Sequence, residues 1–98
     1  MKITFASVCM NVALNKAANL EKILNNIDEA AIHGANLIVF PEQCLQGYLT
    51  SVVGMDMSGT NTDEFEYQYE NAEAVPEGPS VQTIIKKAIE KNIYVVFG

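Results

Sequence analysis

Glu42 is the side chain best placed for chemistry. It lies in the stretch NLIVFPEQCLQGY, Asn36–Tyr48, after an unbroken apolar run that ends at Pro41, and it is followed by Cys44, Gly47 and Tyr48. Pro41 fixes φ and cannot donate to a β ladder, so a strand ending there projects the next side chain from a rigid base. In open α/β sheets, catalytic and binding groups gather beyond the carboxyl ends of the strands, which makes Glu42 a candidate catalytic carboxylate. Read by itself, it serves equally well as a helix cap or a solvent-facing charge. The other reactive side chains have less support. His33 stands beside Gly34 at a helix end, where a cation suits the helix dipole and little argues for a general base. Cys9 and Cys44 are too few for a disulfide framework, and no C-x-x-C or Cys/His spacing offers a zinc site. No metal or cofactor is called for, and a reducing, cytoplasmic setting is the expectation.

The elements that must position Glu42 follow from the apolar pattern. Lys2–Cys9 is mostly apolar and small, with Ile3, Phe5 and Val8 favouring a strand buried on both faces. NVALNKAANLEKILNNIDEAAIHG then places Leu20, Ile23, Leu24, Ile27, Ala30 and Ala31 at helical spacing, with Asn15 as N-cap and Gly34 as the C′ stop. ANLIVFP reads as a second buried strand. Strand, helix and strand make a βαβ unit with parallel strands and a right-handed crossover. Residues 49–76 carry no sustained period and are mostly loop, within which TDEFEYQYENAEAV can form a short helix. EGPSVQTIIKKAIEKN resumes the helical pattern, with Val81, Ile84, Ile85, Ala88 and Ile89 on one face and Pro79 suited to the first turn. IYVVFG follows as a third strand.

Composition excludes several classes of function. The chain has 98 residues, 49% of them apolar, and a net charge of −6 without any arginine. That balance argues against nucleic-acid binding, which is driven by neutralising phosphates. No run approaches the roughly 20 apolar residues of a membrane helix, and the N-terminus lacks the pattern of a signal peptide. Seven of the twelve acidic residues fall between Asp56 and Glu77, a stretch without lysine that reads as a solvated acidic surface. A nucleotide-binding α/β domain fits badly, because CMNVALNKAAN and no glycine-rich phosphate loop follows the first strand. A parallel strand is a poor place for a chain to stop, and two main helices are few for three strands. Residues 1–98 are therefore expected to be part of a larger fold, truncated after the third strand, or to borrow layers from another chain.

GANLIVFPEQCLQGY resembles the first catalytic motif of the nitrilase, or carbon–nitrogen hydrolase, superfamily, in which an apolar strand leads into Pro-Glu and then Gly-Tyr. NLEKILNNIDEAAIHGA is similar to that family's first helix, and EGPSVQTIIKKAIEKNIYVVFG to its second helix and following strand. The resemblance runs from Lys2 to Gly98 apart from the acidic loop. It implies the first part of a four-layer α-β-β-α sandwich that hydrolyses non-peptide carbon–nitrogen bonds in small amides, N-carbamoyl compounds or nitriles through a glutamate, a lysine and a cysteine. Glu42 matches the glutamate and would be the general base, a role that needs a pKa raised toward neutrality by a dry pocket and tempered by a cationic neighbour.

The family's lysine and nucleophilic cysteine lie beyond the third strand, so the resemblance implies that this segment supplies only the base and is inactive alone. Cys44 precedes the Gly-Tyr pair, at a position that is variable and usually apolar in the family. It reads as a small buried hydrophobe, and Cys9 as strand core. Lys86 and Lys87 read as solvated charges on the polar side of the second helix. Gly47 permits a tight turn, and Tyr48 packs its ring with the hydroxyl bonded. Met55 and Met57 flank Asp56, where gap-filling is the commoner use and a substrate mouth the sharper one. Family members commonly form homodimers, so a homo-oligomer is expected. The competing reading is a non-catalytic binding or assembly module that keeps half of the fold.

Overall fold

The computed structural model describes residues 1–48 and 62–98, with the side chains of 62–65 excepted. Met55, Asp56 and Met57 lie outside the described residues. The order of elements is β1 (Phe5–Ser7), α1 (Lys16–Ile32), β2 (Leu37–Val39), α2 (Thr62–Asn71), α3 (Pro79–Lys91) and β3 (Tyr94–Val96). The three strands form a parallel sheet in the order β1-β2-β3. Ala6 lies opposite Ile38, and Ile38 opposite Val95. Among the described residues no helix is long and apolar enough to cross a membrane.

Local signals set the helix ends. Asn15, in extended conformation, accepts a hydrogen bond from the Ala18 N–H at 3.0 Å and so caps α1. At the other end the Gly34 N–H donates to Ala31 O and the Ala35 N–H to Ala30 O, the paired bonds that close a helix through a left-handed residue. Asn92, at φ 52°, ends α3 in the same way. Along α1, Asn19, Ile23, Ile27 and Ala30 form one buried stripe. It packs with Ile38, Phe40, Cys44, Ile84 and Ile93 into the core, and each fully buried isoleucine is worth roughly 2 kcal/mol. Ile89 was expected on the inner face of α3 but is 74% exposed. At 3.6 residues per turn it lies about 140° around the helix from Ile84, too far to share the buried stripe.

Both long helices cover the same side of the sheet. Ala6, Ile38 and Val95 face them, and the alternate residues point the other way. Phe5, Tyr94 and Val96 on that second side are exposed, and an apolar hollow there is lined by Met1, Ile3, Leu37, Tyr94 and Val96. Burial of β1 on both faces is not met by the described residues, which bury one face only: Phe5 is 67% exposed, because no described element covers its side. The expectation that Cys9 is strand core is corrected. It lies two residues past the end of β1 and is exposed.

Two charged clusters tie the helices together. Lys87 is not the free solvated charge that its place on the polar side of the helix suggests: its Nζ donates to both Asp28 oxygens at 2.9 and 3.1 Å, linking α3 to α1. That contact holds the Asp28 carboxyl below its ordinary range and raises the Lys87 ammonium. Glu73 is buried more deeply. One of its oxygens accepts from the Ser80 and Val81 N–H groups at 2.7 and 3.2 Å, replacing the side-chain cap that Gly78 lacks at the start of α3. Its other oxygen lies 2.8 Å from Lys16 Nζ, a partly buried ion pair at hydrogen-bond distance.

Burial alone would raise the pKa of Glu73, but Lys16, Ser80 and the Val81 N–H outweigh it and lower the value from 4.5 to about 2. The stabilisation is thus present above the ordinary carboxylate pKa and is lost as pH falls from about 5 toward 2. Glu73→Gln is expected to cost about 1–2 kcal/mol above about pH 5. It should also flatten the acid limb of the melting temperature between about pH 5 and pH 2, measured by thermal denaturation.

Candidate functional site

All three strands run the same way, so their carboxyl ends share one pole. β2 delivers Glu42 there: the Phe40 N–H still bonds Val96 O at 2.9 Å, Pro41 ends the ladder, and Glu42 opens the turn that follows. Gln43 adopts φ 52°, a left-handed backbone uncommon outside glycine. The turn is closed by the Gly47 N–H donating to Gln43 O at 3.0 Å. Gly47 has φ 103°, and a Cβ there would stand 2.7 Å from the Ala13 carbonyl oxygen. The loop before α1 thus passes directly against the turn that carries Glu42.

Side chains from two helices grip this turn. Asn19, fully buried, accepts from the Ala13 N–H at 3.0 Å and donates to Ala13 O at 2.6 Å and Leu45 O at 2.9 Å. Tyr67 donates its hydroxyl to Gln46 O at 2.7 Å, and Gln68 donates its amide to Gly47 O at 2.7 Å. The Gln46 amide returns a bond to Gln68 Oε1 at 2.5 Å. None of Asn19, Gln46, Tyr67 or Gln68 was singled out in the sequence. The signal for Asn19 was available: it is the one polar residue in the stripe of Ile23, Ile27 and Ala30, where a buried amide needs partners.

Glu42 itself is exposed, and among the described residues no ion pair reaches it. The dry pocket and cationic neighbour expected of a general base are not supplied by the described residues. Gln43 Oε1, one residue along, is buried and has no hydrogen-bond partner among them. Cys44 is fully buried in the core, and burial pushes its thiol pKa up, so it is held as a neutral thiol. Tyr48, expected to be packed with its hydroxyl bonded, has 46% of its surface exposed. His33 is the C-cap residue of α1 and is exposed.

Comparison with known proteins fits this arrangement. The sequence model of the carbon–nitrogen hydrolase family matches residues 4–98. Nitrilase 2 of Arabidopsis thaliana is 38% identical over 85 residues, covering 83% of this chain and 25% of that protein. An aliphatic nitrilase of Sinorhizobium fredii is 34% identical over 85 residues, 83% of this chain and 27% of the relative. A bromoxynil-specific nitrilase of Klebsiella pneumoniae subsp. ozaenae is 30% identical over 101 aligned positions, 100% of this chain and 28% of the relative. The chain spans about a quarter of the length of these curated relatives. A parallel βαβ scaffold with a Pro-Glu at the end of its central strand, matched by the family model along nearly its whole length, belongs to the carbon–nitrogen hydrolase family.

Proposed function

We propose that this chain is the N-terminal portion of a carbon–nitrogen hydrolase domain in which Glu42 is the general base, with a lysine and a nucleophilic cysteine contributed by later sequence. The observation that carries the reading is the rigid delivery of Glu42 to the carboxyl pole of the sheet, in a chain of this family. As the sulfur attacks an amide carbon, Glu42 takes the thiol proton and returns it to the nitrogen, which leaves as ammonia or an amine. Glu42 then activates the water that cleaves the thioester to the acid and restores the thiol. A nitrile consumes one water more, which converts its first-formed thioimidate to that thioester with release of ammonia. The lysine stabilises the oxyanion. Three relatives are named as nitrilases, so nitriles are the first substrate class to assay, with amides and N-carbamoyl compounds next.

Glu42→Gln in the complete polypeptide tests the reading. Loss of turnover with folding intact supports it, and substantial surviving turnover removes Glu42 from the mechanism.

The exposed sheet side supports the other half of the proposal, a four-layer α-β-β-α sandwich in which a second sheet covers Phe5, Tyr94 and Val96. An exposed apolar sheet face in water associates. The 98-residue segment by itself is expected to form soluble oligomers or aggregates and to bind an apolar dye strongly. A monodisperse monomer by light scattering, without dye binding, would count against the missing layer.

A further inference from the structure

Three successive carbonyls behind Glu42, those of Leu45, Gln46 and Gly47, each accept a hydrogen bond from a side chain distant in sequence: Asn19 of α1, then Tyr67 and Gln68 of α2. Asn19 is the most informative of them. It is 0% exposed at the amino-terminal end of an otherwise apolar stripe, where a leucine or isoleucine would bury its surface without the cost of desolvating an amide. Its amide spans two segments, fastening the loop at Ala13 to the turn at Leu45. With the Gly47 N–H on Gln43 O, the segment from Glu42 to Gly47 is bonded internally and on two flanks.

We propose that Asn19, together with Tyr67 and Gln68, is a positioning residue for Glu42, holding the turn so that the carboxylate meets the reacting sulfur and water at hydrogen-bond range. The proposal rests on Glu42 being the base. Its physical content is that displacing a catalytic group by about 1 Å costs up to about a hundredfold in rate while leaving substrate binding nearly intact. Were the three side chains only filling the hydrogen-bond needs of buried carbonyls, their loss would lower stability and the folded fraction without changing kcat per folded molecule.

The test is steady-state kinetics of the complete polypeptide on an aliphatic nitrile or, where that is inert, the corresponding amide, with turnover normalised to the folded fraction. Tyr67→Phe is expected to lower kcat about tenfold and Asn19→Ala about a hundredfold, each with KM changed less than about threefold. In a Glu42→Asp background, where the carboxylate is already displaced, Tyr67→Phe should cost less than about threefold. Should Asn19→Ala fail to fold, Tyr67→Phe decides alone. Wild-type kcat in Tyr67→Phe, or a full tenfold loss added on top of Glu42→Asp, overturns the positioning role. If Glu42→Gln keeps its turnover, it is the base assignment that has failed. If Glu42→Gln is dead while Tyr67→Phe keeps its kcat, only the positioning role falls.

Discussion

Glu42→Gln in the complete polypeptide is expected to lower turnover on its best nitrile or amide about a thousandfold, within the range that a positioned acid–base group contributes. The amide has nearly the shape of the carboxylate but cannot take a proton from sulfur or water. Because Glu42 is exposed in a turn and makes no ion pair among the described residues, the replacement should leave the melting temperature within about 1 °C of wild type, as surface changes away from packed features do. Activity and stability are thereby separated. Glu42→Asp keeps the charge but retracts it by one methylene, and an intermediate loss of about ten- to a hundredfold is expected. Turnover that survives Glu42→Gln, or that falls only in step with a loss of folded protein, would contradict the role given to this residue.

Gly47→Ala carries the largest expected loss of stability, about 3 kcal/mol. Two costs add there. The backbone has φ 103°, outside the region that residues with a Cβ occupy readily, and the new methyl would stand 2.7 Å from Ala13 O and 2.9 Å from Leu14 Cδ2. A leucine methyl can swing aside. The Ala13 carbonyl cannot do so freely, because Asn19 already holds it at 2.6 Å. Relief would come only from breaking that bond or shifting the Glu42 turn, so activity should fall together with stability. Gly34→Ala is the matched control: its φ is also positive, 79°, but nothing lies within 4 Å of the added carbon. About 1 kcal/mol is expected there. Equal losses at the two sites, measured by urea denaturation, would mean that backbone conformation alone sets the cost and that the close approach to Ala13 does not matter.

Much of the scaffold was legible because it is written in local chemistry. Asn15 caps α1 through an interaction three residues long, Gly34 stops it, and Pro79 opens α3, all without reference to the rest of the chain. The short helix read in the acidic region is found as Thr62–Asn71. The apolar runs around Phe5, Ile38 and Val95 form the three parallel strands. What misled was burial. Cys9 and Phe5 look like core from their residue types, but whether Phe5 is covered depends on which side of the sheet the helices occupy, and Cys9 lies beyond the end of the strand. Lys87 looks like free surface charge until α1 brings Asp28 beside it, 59 residues away.

The sequence by itself determined the βαβ order, the ends of α1 and α3, and the single carboxylate that a proline delivers past the central strand. These depend on interactions over a few residues and on apolar periods that a helix or strand must bury. Only the tertiary structure decided how that carboxylate is held. The grip on Leu45, Gln46 and Gly47 comes from Asn19, Tyr67 and Gln68, over separations of 26, 21 and 21 residues. A hydrogen bond between groups that far apart leaves no periodic trace in either segment, since each residue is chosen for a partner that folding alone brings near.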